Sequence, residues 1–248
     1  MGYDPELYHL LHRGNPGDVS WYVDHCAGAE TVLELGCGDG RVIEELCAAG
    51  HRCVGVDLDP AMLDRAKARL PNLPVEWLQG DMERIELGRR FDRVLIPFNS
   101  LYCLMSEEAQ QRALARAADH LAPGGRLIFD LYAADPLPDP TVLNVPRHAV
   151  AQIERGAQHI EVFESSIEDP EAQTIMASYH YVIYDDDGEP PTRASWTIPQ
   201  RYLFADQLLA MLARIGLVVE AMYGDFDGNP FSEESPHMVM VVSRGDRP

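Results

Sequence analysis

Three glycines at alternate positions, Gly36, Gly38 and Gly40, interrupt the apolar run Thr31-Val-Leu-Glu-Leu35 just where a helical pattern opens at Arg41. Glycine takes positive φ at no steric cost and lets a backbone come close to a ligand, and the helix that follows aims unpaired N–H groups at whatever sits there. The chemistry on offer is the binding of a nucleotide-like ligand, with an ordinary strand-to-helix turn as the bland alternative. Asp57 closes a second short apolar run, Arg52-Cys-Val-Gly-Val56. Doubly wound folds set a carboxylate there that accepts hydrogen bonds from ribose hydroxyls, unless the residue merely begins a turn. A dinucleotide is disfavoured, because its fingerprint G-x-G-x-x-G/A needs a small residue at the sixth position for close helix packing. That position is Arg41.

The elements that hold these residues follow from local pattern. Val42, Ile43 and Leu46 share one face of a helix over residues 41–49 that stops at Gly50. Asp59 followed by Pro60 starts the next helix with a capping carboxylate and a first-turn proline, and Pro71 and Pro74 end it. Val75–Leu78 reads as a third strand leading into Gln79-Gly80-Asp81-Met82, and Phe91–Ile96 as a fourth leading into Pro97-Phe98-Asn99-Ser100-Leu101-Tyr102. Ser106 caps a helix whose first turn carries Glu107 and Glu108, which suit the dipole, and Pro123-Gly124-Gly125 turns into a fifth strand, Arg126–Tyr132. Ahead of all this, residues 1–30 form an aromatic helical arm with a polar break at Gly14-Asn-Pro-Gly-Asp18 and a helix from Val19 to Cys26. Leu7, Leu10, Leu11, Trp21 and Tyr22 are expected to dock the arm on the core. Tyr8 and Arg13 suit a lid that shuts water out.

Composition narrows the partners. A length of 248 residues fits one large α/β domain or one domain with an insertion. Forty acidic residues against twenty basic ones give a net charge of −20, a field that repels phosphate backbones and anionic lipid, so neither nucleic acid nor membrane is an expected partner. No run approaches the ~18 apolar residues of a membrane span. Met1-Gly-Tyr-Asp-Pro-Glu6 has no basic-then-apolar leader, and a cytoplasmic place is expected. The five cysteines are scattered without a C-x-x-C pair and read as reduced packing residues, so no metal site is expected.

Five segments taken together resemble the class I S-adenosylmethionine-dependent methyltransferases: LELGCGDG at 33–40, GVDLDPAML at 55–63, QGDM at 79–82, FDRVLIPFNSLYCL at 91–104 and HLAPGGRLIFD at 120–130. They cover about half of the chain in the family's order. The resemblance implies a Rossmann-like doubly wound α/β fold, a seven-stranded mixed sheet whose last strand is antiparallel. It implies S-adenosylmethionine as cofactor and S-adenosylhomocysteine as product. Gly36, Gly38 and Gly40 would pass beneath the methionine part and Glu34 would help place its amino group. Asp57 would take the ribose hydroxyls, Leu58 would touch adenine, Asp81 would accept from its amino group, and the Met82 backbone would meet the ring. Pro97 and Phe98 would lie along the sulfonium side. The motif HRGNPGD (His12 to Asp18) resembles a subset whose amino-terminal arm covers the cofactor, which makes Tyr8 and Arg13 further contacts.

From Asp135 to Leu203 the character changes to an antiparallel β insertion that follows the fifth strand and caps the active site, with strands at Val150–Ile153, His159–Ile167, Thr174–Tyr184 and Arg193–Leu203. Ile175, Tyr179, Tyr181 and Ile183 share one face and are expected to form an apolar core against the main domain. The core itself is expected over 31–134 and 204–248, with a helix at Phe204–Ile215 and strands at Leu217–Met222 and His237–Ser243. Ligands of open α/β sheets bind at the carboxyl edge, so Asn99, Tyr102, Tyr132, Tyr223, Asp225 and His237 are candidates for the acceptor pocket. In-line methyl displacement needs orientation above all. Tyr102, His237 and Asp225 are candidates for holding the acceptor or taking its proton, which an alcohol needs more than an amine. The expected acceptor is a small molecule, a nitrogen ahead of a hydroxyl, and the segment after the fourth strand and the inserted sheet look similar to sugar and amino-acid N-methyltransferases. A homodimer is compatible with all of this. The competing reading is a cofactor-binding module without catalysis, acting through complex formation.

Overall fold

The computed structural model describes residues 4–134, 144–185 and 189–245. The proline-rich change of character at Asp135–Pro140 and the turn through residues 186–188 lie outside them. The described residues divide into two compact units, one of residues 14–134 and 203–245, the other of residues 4–13 and 144–202.

The first thirty residues are therefore split. Helix α1 (Pro5–Leu11), capped by Asp4, belongs to the smaller unit, whereas α2 (Asp18–His25) belongs to the larger one. The larger unit continues with β1 (Thr31–Leu35), α3 (Arg41–Ala48), β2 (Arg52–Asp57), α4 (Pro60–Arg69), β3 (Glu76–Gln79) and β4 (Phe91–Ile96). After a 3-10 turn at Ser100–Cys103 come α5 (Glu107–Asp119) and β5 (Leu121–Tyr132). Both α4 and α5 start as their sequences dictate: Asp59 accepts from the Ala61 N–H at 2.8 Å and Ser106 from the Ala109 N–H at 3.1 Å.

β5 begins five residues before the expected Arg126. Phe91 pairs with Leu121 and Arg93 with Arg126, so the register slips and Pro123–Gly125 becomes an irregularity within the strand rather than a turn ahead of it. Past the smaller unit's four strands the chain returns as α6 (Ala205–Arg214), β10 (Leu217–Tyr223) and β11 (His237–Arg244). The seven strands lie in the order β10-β11-β5-β4-β1-β2-β3, with β11 antiparallel to both of its neighbours, β10 and β5, and the remaining pairs parallel. Helices on a parallel sheet bury both of its faces, and β1 is accordingly buried from Val32 to Leu35. Val32, Leu95, Ile128 and Val241 from the sheet pack in one cluster with Ile43 and Leu46 of α3 and Trp21 and Tyr22 of α2.

The smaller unit is a four-stranded antiparallel meander, β6 (Asn144–Arg155), β7 (Gln158–Asp169), β8 (Thr174–Tyr184) and β9 (Thr192–Arg201). Tyr181 and Ile183 of its apolar face pack with Ile153, Ile160, Val162 and Leu7, with Tyr179, Leu10 and Leu11 at the margin, so α1 packs on this face within the unit. Ile175 is only half-buried. Leu7, Leu10 and Leu11 thus dock on this sheet, whereas Trp21 and Tyr22 dock on the core.

Candidate active site

Parallel pairing of β1 to β5 brings the carboxyl ends of those strands to one edge of the sheet. There lie the glycine loop after β1, Asp57 at the end of β2, Asp81 after β3 and Pro97–Ser100 after β4. His237 opens β11 opposite Tyr132, so the connection from Tyr223 to His237 belongs to the same edge.

The glycine loop is built by its own backbone. Gly36, Gly38 and Gly40 all have positive φ, at 74°, 54° and 82°. The Gly36 and Cys37 N–H groups donate to the Val56 carbonyl at 2.8 and 3.0 Å, which lashes the loop to β2. Space forbids a side chain as well, since a Cβ on Gly40 would stand 2.6 Å from the Trp77 ring and one on Gly36 2.9 Å from Ser100. The Gly38 N–H donates to Asp57 Oδ2 at 2.7 Å, and Asp57 Oδ1 accepts from the Asp59 N–H at 2.9 Å. Each Asp57 oxygen keeps a second lone pair for another donor. Burial raises the Asp57 pKa, and these N–H bonds oppose the rise.

Glu34 lies one residue before the end of β1 and is 3% exposed. Its Oε2 is buried without a hydrogen-bond partner. Burial pushes its pKa up to about 8, with Arg41 pulling against the shift and Asp57, Asp39 and Asp18 adding to it. A buried carboxyl oxygen with no donor is costly. A ligand that brings a cationic donor to this edge removes the deficit. Leu58, immediately after Asp57, is 67% exposed. Asp81 Oδ1 accepts from the Glu83 N–H at 2.9 Å and its Oδ2 lies 3.5 Å from Arg84, while the carboxylate stays partly open to solvent. Orphaned Glu34, the glycine loop and the bare Leu58 fit an adenosine bearing an amino acid.

The turn after β4 is unusual for its backbone. Phe98 and Asn99 are not glycines, yet both have positive φ, 53° and 59°. The Phe98 N–H donates to Asp130 Oδ1 at 2.7 Å, the Asn99 N–H to the Asp130 carbonyl at 3.2 Å, and Asn99 Oδ1 accepts from the Tyr132 N–H at 2.6 Å. Tyr22 also donates its hydroxyl to Asp130 Oδ1, at 2.6 Å. Arg41, known from sequence only as an obstacle to a dinucleotide, pairs with Asp18 and lies 5.6 Å above the Phe98 ring. Sequence reasoning missed the site roles of Asp130 and Tyr22, read there only as the end of a strand and a packing aromatic. Asp18 did carry a signal, as the last residue of the motif His12–Asp18.

Several expected site residues have other work. Tyr102 is fully buried, and its hydroxyl is shared between the carbonyls of Tyr132 and Leu203 at 3.2 and 3.1 Å, so it fastens the core and presents nothing to an acceptor. Asp225 accepts at Oδ1 from the N–H groups of Asp227 and Asn229 and at Oδ2 from the Asn229 side chain. Those bonds, the Asn229 side chain first, hold its pKa below the ordinary carboxylate value, which makes it a loop-forming residue and a poor base. Tyr223 packs edge-on to Trp21 and His25. His237 keeps a buried Nδ1 with no partner, and burial lowers its pKa, with Asp225 and Asp18 opposing. Tyr8 and Arg13 fall in the other compact unit, where Arg13 Nε donates to the Leu10 carbonyl at 3.1 Å. A cavity of about 1080 Å3 opens at the opposite edge of the sheet, around Pro123–Gly125, Gly216 and Arg244. Its three arginines are spoken for, Arg244 by Asp119, Arg214 by Glu107 and Arg90 by the Leu121 carbonyl, and it holds none of the groups described above.

Residues 32–125 match the model of a family described as a methyltransferase domain. Over that span the chain carries a methyltransferase domain. Among its relatives is the cypemycin N-terminal methyltransferase of a Streptomyces species, 27% identical over 92% of this chain and 89% of that protein. A dTDP-3-amino-3,4,6-trideoxy-alpha-D-glucopyranose N,N-dimethyltransferase of Streptomyces venezuelae is 34% identical over half of this chain, a match that spans 55% of that protein. Among solved structures, the CcbJ methyltransferase from Streptomyces caelestis superposes with a TM-score of 0.78 at 26% identity, over 94% of this methyltransferase and 98% of CcbJ. The solved structure of CalS10, an amino pentose methyltransferase from Micromonospora echinaspora described with S-adenosylmethionine bound, superposes with a TM-score of 0.77 at 20% identity, over 99% of this chain and 98% of that one. Among the described residues no helix is long and apolar enough to cross a membrane.

Proposed function

We propose that this methyltransferase places a methyl group on a nitrogen of a small acceptor that carries an amine, such as an amino sugar or an amino-terminal residue. The observation that carries the reading is the commitment of Tyr102 and Asp225. An alcohol must lose a proton to attack, whereas an amine attacks once neutral. With Tyr102 turned to two carbonyls and Asp225 to its own loop, the carboxyl edge offers little to an alcohol. His237, whose buried Nδ1 has no partner, remains as a polar contact for the amine.

The cofactor supplies an electrophilic methyl group on a sulfonium. The protein's part is to hold and orient, which can account for much of the acceleration in a displacement of this kind. In this reading the loop of Gly36, Gly38 and Gly40 carries the methionine portion and Glu34 Oε2 meets its amino group. Asp57 receives the ribose hydroxyls on the lone pairs left by Gly38 and Asp59. Leu58 covers adenine, Asp81 accepts from its amino group, and Met82 lends its backbone. Pro97 and Phe98 flank the reacting side, Asn99 and Tyr132 border the acceptor, and Tyr223 closes the far wall. Tyr8 and Arg13 stay as candidates from the arm. All five cysteines are free thiols, in keeping with a reducing compartment, and we take the cytoplasm as the place of work. No finding favours a binding module without catalysis.

The test is transfer of a labelled methyl group from S-adenosylmethionine to paired acceptors that differ only in an amine or a hydroxyl. Label on the amine alone is expected. Label on the hydroxyl partner at a comparable rate overturns the preference for nitrogen.

A further inference from the structure

Asp130 ends the apolar core of β5 and is completely buried, yet its carboxylate is the meeting point of three segments far apart in sequence. Oδ1 accepts from the Tyr22 hydroxyl of α2 at 2.6 Å and from the Phe98 N–H at 2.7 Å, and Oδ2 lies 3.5 Å from the Asn15 amide. Asn15 is bound in turn to Asp18, its N–H donating to Oδ2 at 3.0 Å. Asp18 holds Arg41, and Arg41 lies over the ring of the same Phe98 whose backbone Asp130 fixes. The chain of contacts closes on itself. Phe98 is gripped by its N–H from one side and by its ring from the other, and Phe98 with Asn99 needs the grip, because left-handed φ is unfavourable for a residue with a Cβ.

We propose that Asp130 is a positioning residue of the methyltransferase, holding the left-handed Phe98–Asn99 turn in register with the Asn15–Asp18 segment so that the wall beside the methyl donor exists before the ligand arrives. The proposal rests on the reading that Pro97 and Phe98 flank the donor. Its physical basis is acceptor chemistry: a carboxylate buried at this point supplies two oxygens to three donors, the Phe98 N–H among them. Burial raises the Asp130 pKa to about 6, opposed by the Tyr22 and Phe98 bonds, with Asp18 of α2 adding to the rise and Arg41 of α3 opposing it. The group is therefore ionised at neutral pH, the form that accepts most strongly.

The experiment compares the full-length protein with Asp130→Ala, Asp130→Asn and Tyr22→Phe, using S-adenosylhomocysteine as the probe. Calorimetry reads its affinity, and hydrogen exchange of the ligand-free protein reads the amides of Phe98, Asn99 and, as an internal control, Val94. Asp130→Ala is expected to lose tenfold or more in affinity and to speed exchange at Phe98 and Asn99 but not at Val94. Asp130→Asn, whose carboxamide oxygen still accepts from the Phe98 N–H, is expected to recover affinity to within about threefold of the parent. A general loss of stability would not separate the two variants in this way. Affinity and exchange unchanged in Asp130→Ala overturn the proposal, as does an Asp130→Asn variant that fails equally. If Asp130→Ala does not fold, Tyr22→Phe carries the test, with about threefold weaker binding and faster Phe98 exchange expected and unchanged values fatal. A parent protein that binds no S-adenosylhomocysteine defeats the cofactor reading instead, and the exchange data on Phe98 then still judge Asp130.

Discussion

Asp18 and Arg41 face each other as a two-pronged pair, Nη1 to Oδ1 and Nη2 to Oδ2, each at 2.8 Å. Asp18 opens α2 and is 2% exposed, and Arg41 opens α3 directly after the glycine loop, so one ion pair joins the starts of two helices. Burial of the guanidinium works against its charge, but the Asp18 bonds prevail and its pKa is raised. Gly14 lies against the same guanidinium so closely that a Cβ there would sit 2.2 Å from Nη1. Arg41→Ala strips the partner from a buried carboxylate, and a loss of ~3–5 kcal/mol in urea denaturation is expected, the scale for breaking such a pair from one side. Replacing both partners by leucine should recover most of it. An Arg41→Ala loss under ~1 kcal/mol would mean that water already serves Asp18.

Glu34 makes a pH prediction whose sign is fixed. Its folded pKa, about 8, lies above that of a free carboxyl. The folded chain therefore holds a proton that the unfolded chain has lost, and Glu34 detracts from stability as pH rises from the free value towards 8. A bound ammonium reverses the preference and expels the proton. S-Adenosylhomocysteine binding at pH 7 should release a sizeable fraction of a proton, read by calorimetry in buffers of different protonation enthalpy, and Glu34→Gln should release none. Equal proton release in the two proteins would assign the linkage to another group.

Asp57 has a double role that separates two substitutions. Its oxygens already fix the Gly38 and Asp59 N–H groups, so Asp57→Ala loosens the glycine loop as well as removing the partner proposed for the ribose. A loss of ~1–3 kcal/mol in cofactor affinity is expected, the range for deleting a buried hydrogen-bond partner. Asp57→Asn keeps an acceptor for Gly38 and should lose less. Binding that tolerates the alanine would remove Asp57 from the cofactor site.

The difference between what could and could not be read from sequence is one of range. Asp59-Pro60, Ser106 and the three glycines act on residues a few positions away, and their helices and loop stand where local pattern puts them. The carboxyl-edge placement of Asp57 and Asp81 was legible too, because parallel order follows from alternating strands and helices. Tyr22 and Asp130 are 108 positions apart, and no periodicity announces that a tyrosine beside an apolar tryptophan has its hydroxyl on a buried acid. The arm misled for a related reason: Leu7 and Trp21 are equally apolar, and hydrophobicity alone does not say which sheet each one covers. Tyr102 misled because a sequence shows the hydroxyl and hides the two carbonyls that take it.

That last residue supplies a discriminating experiment. The Tyr102 hydroxyl serves the Tyr132 and Leu203 carbonyls, tying the end of β5 to the residue from which the chain enters α6, and the ring packs edge-on to Tyr132 at 4.8 Å. Tyr102→Phe keeps the ring and removes the only proton that the hydroxyl has to give. Stability should fall by ~1–3 kcal/mol, the cost of leaving a buried acceptor unserved, when measured by urea denaturation. Methyl transfer per folded molecule should stay within twofold, because the hydroxyl is buried and committed to two backbone carbonyls. Transfer lowered tenfold in a variant of undiminished stability would return Tyr102 to the acceptor site and make Tyr132, its ring neighbour, the next residue to change.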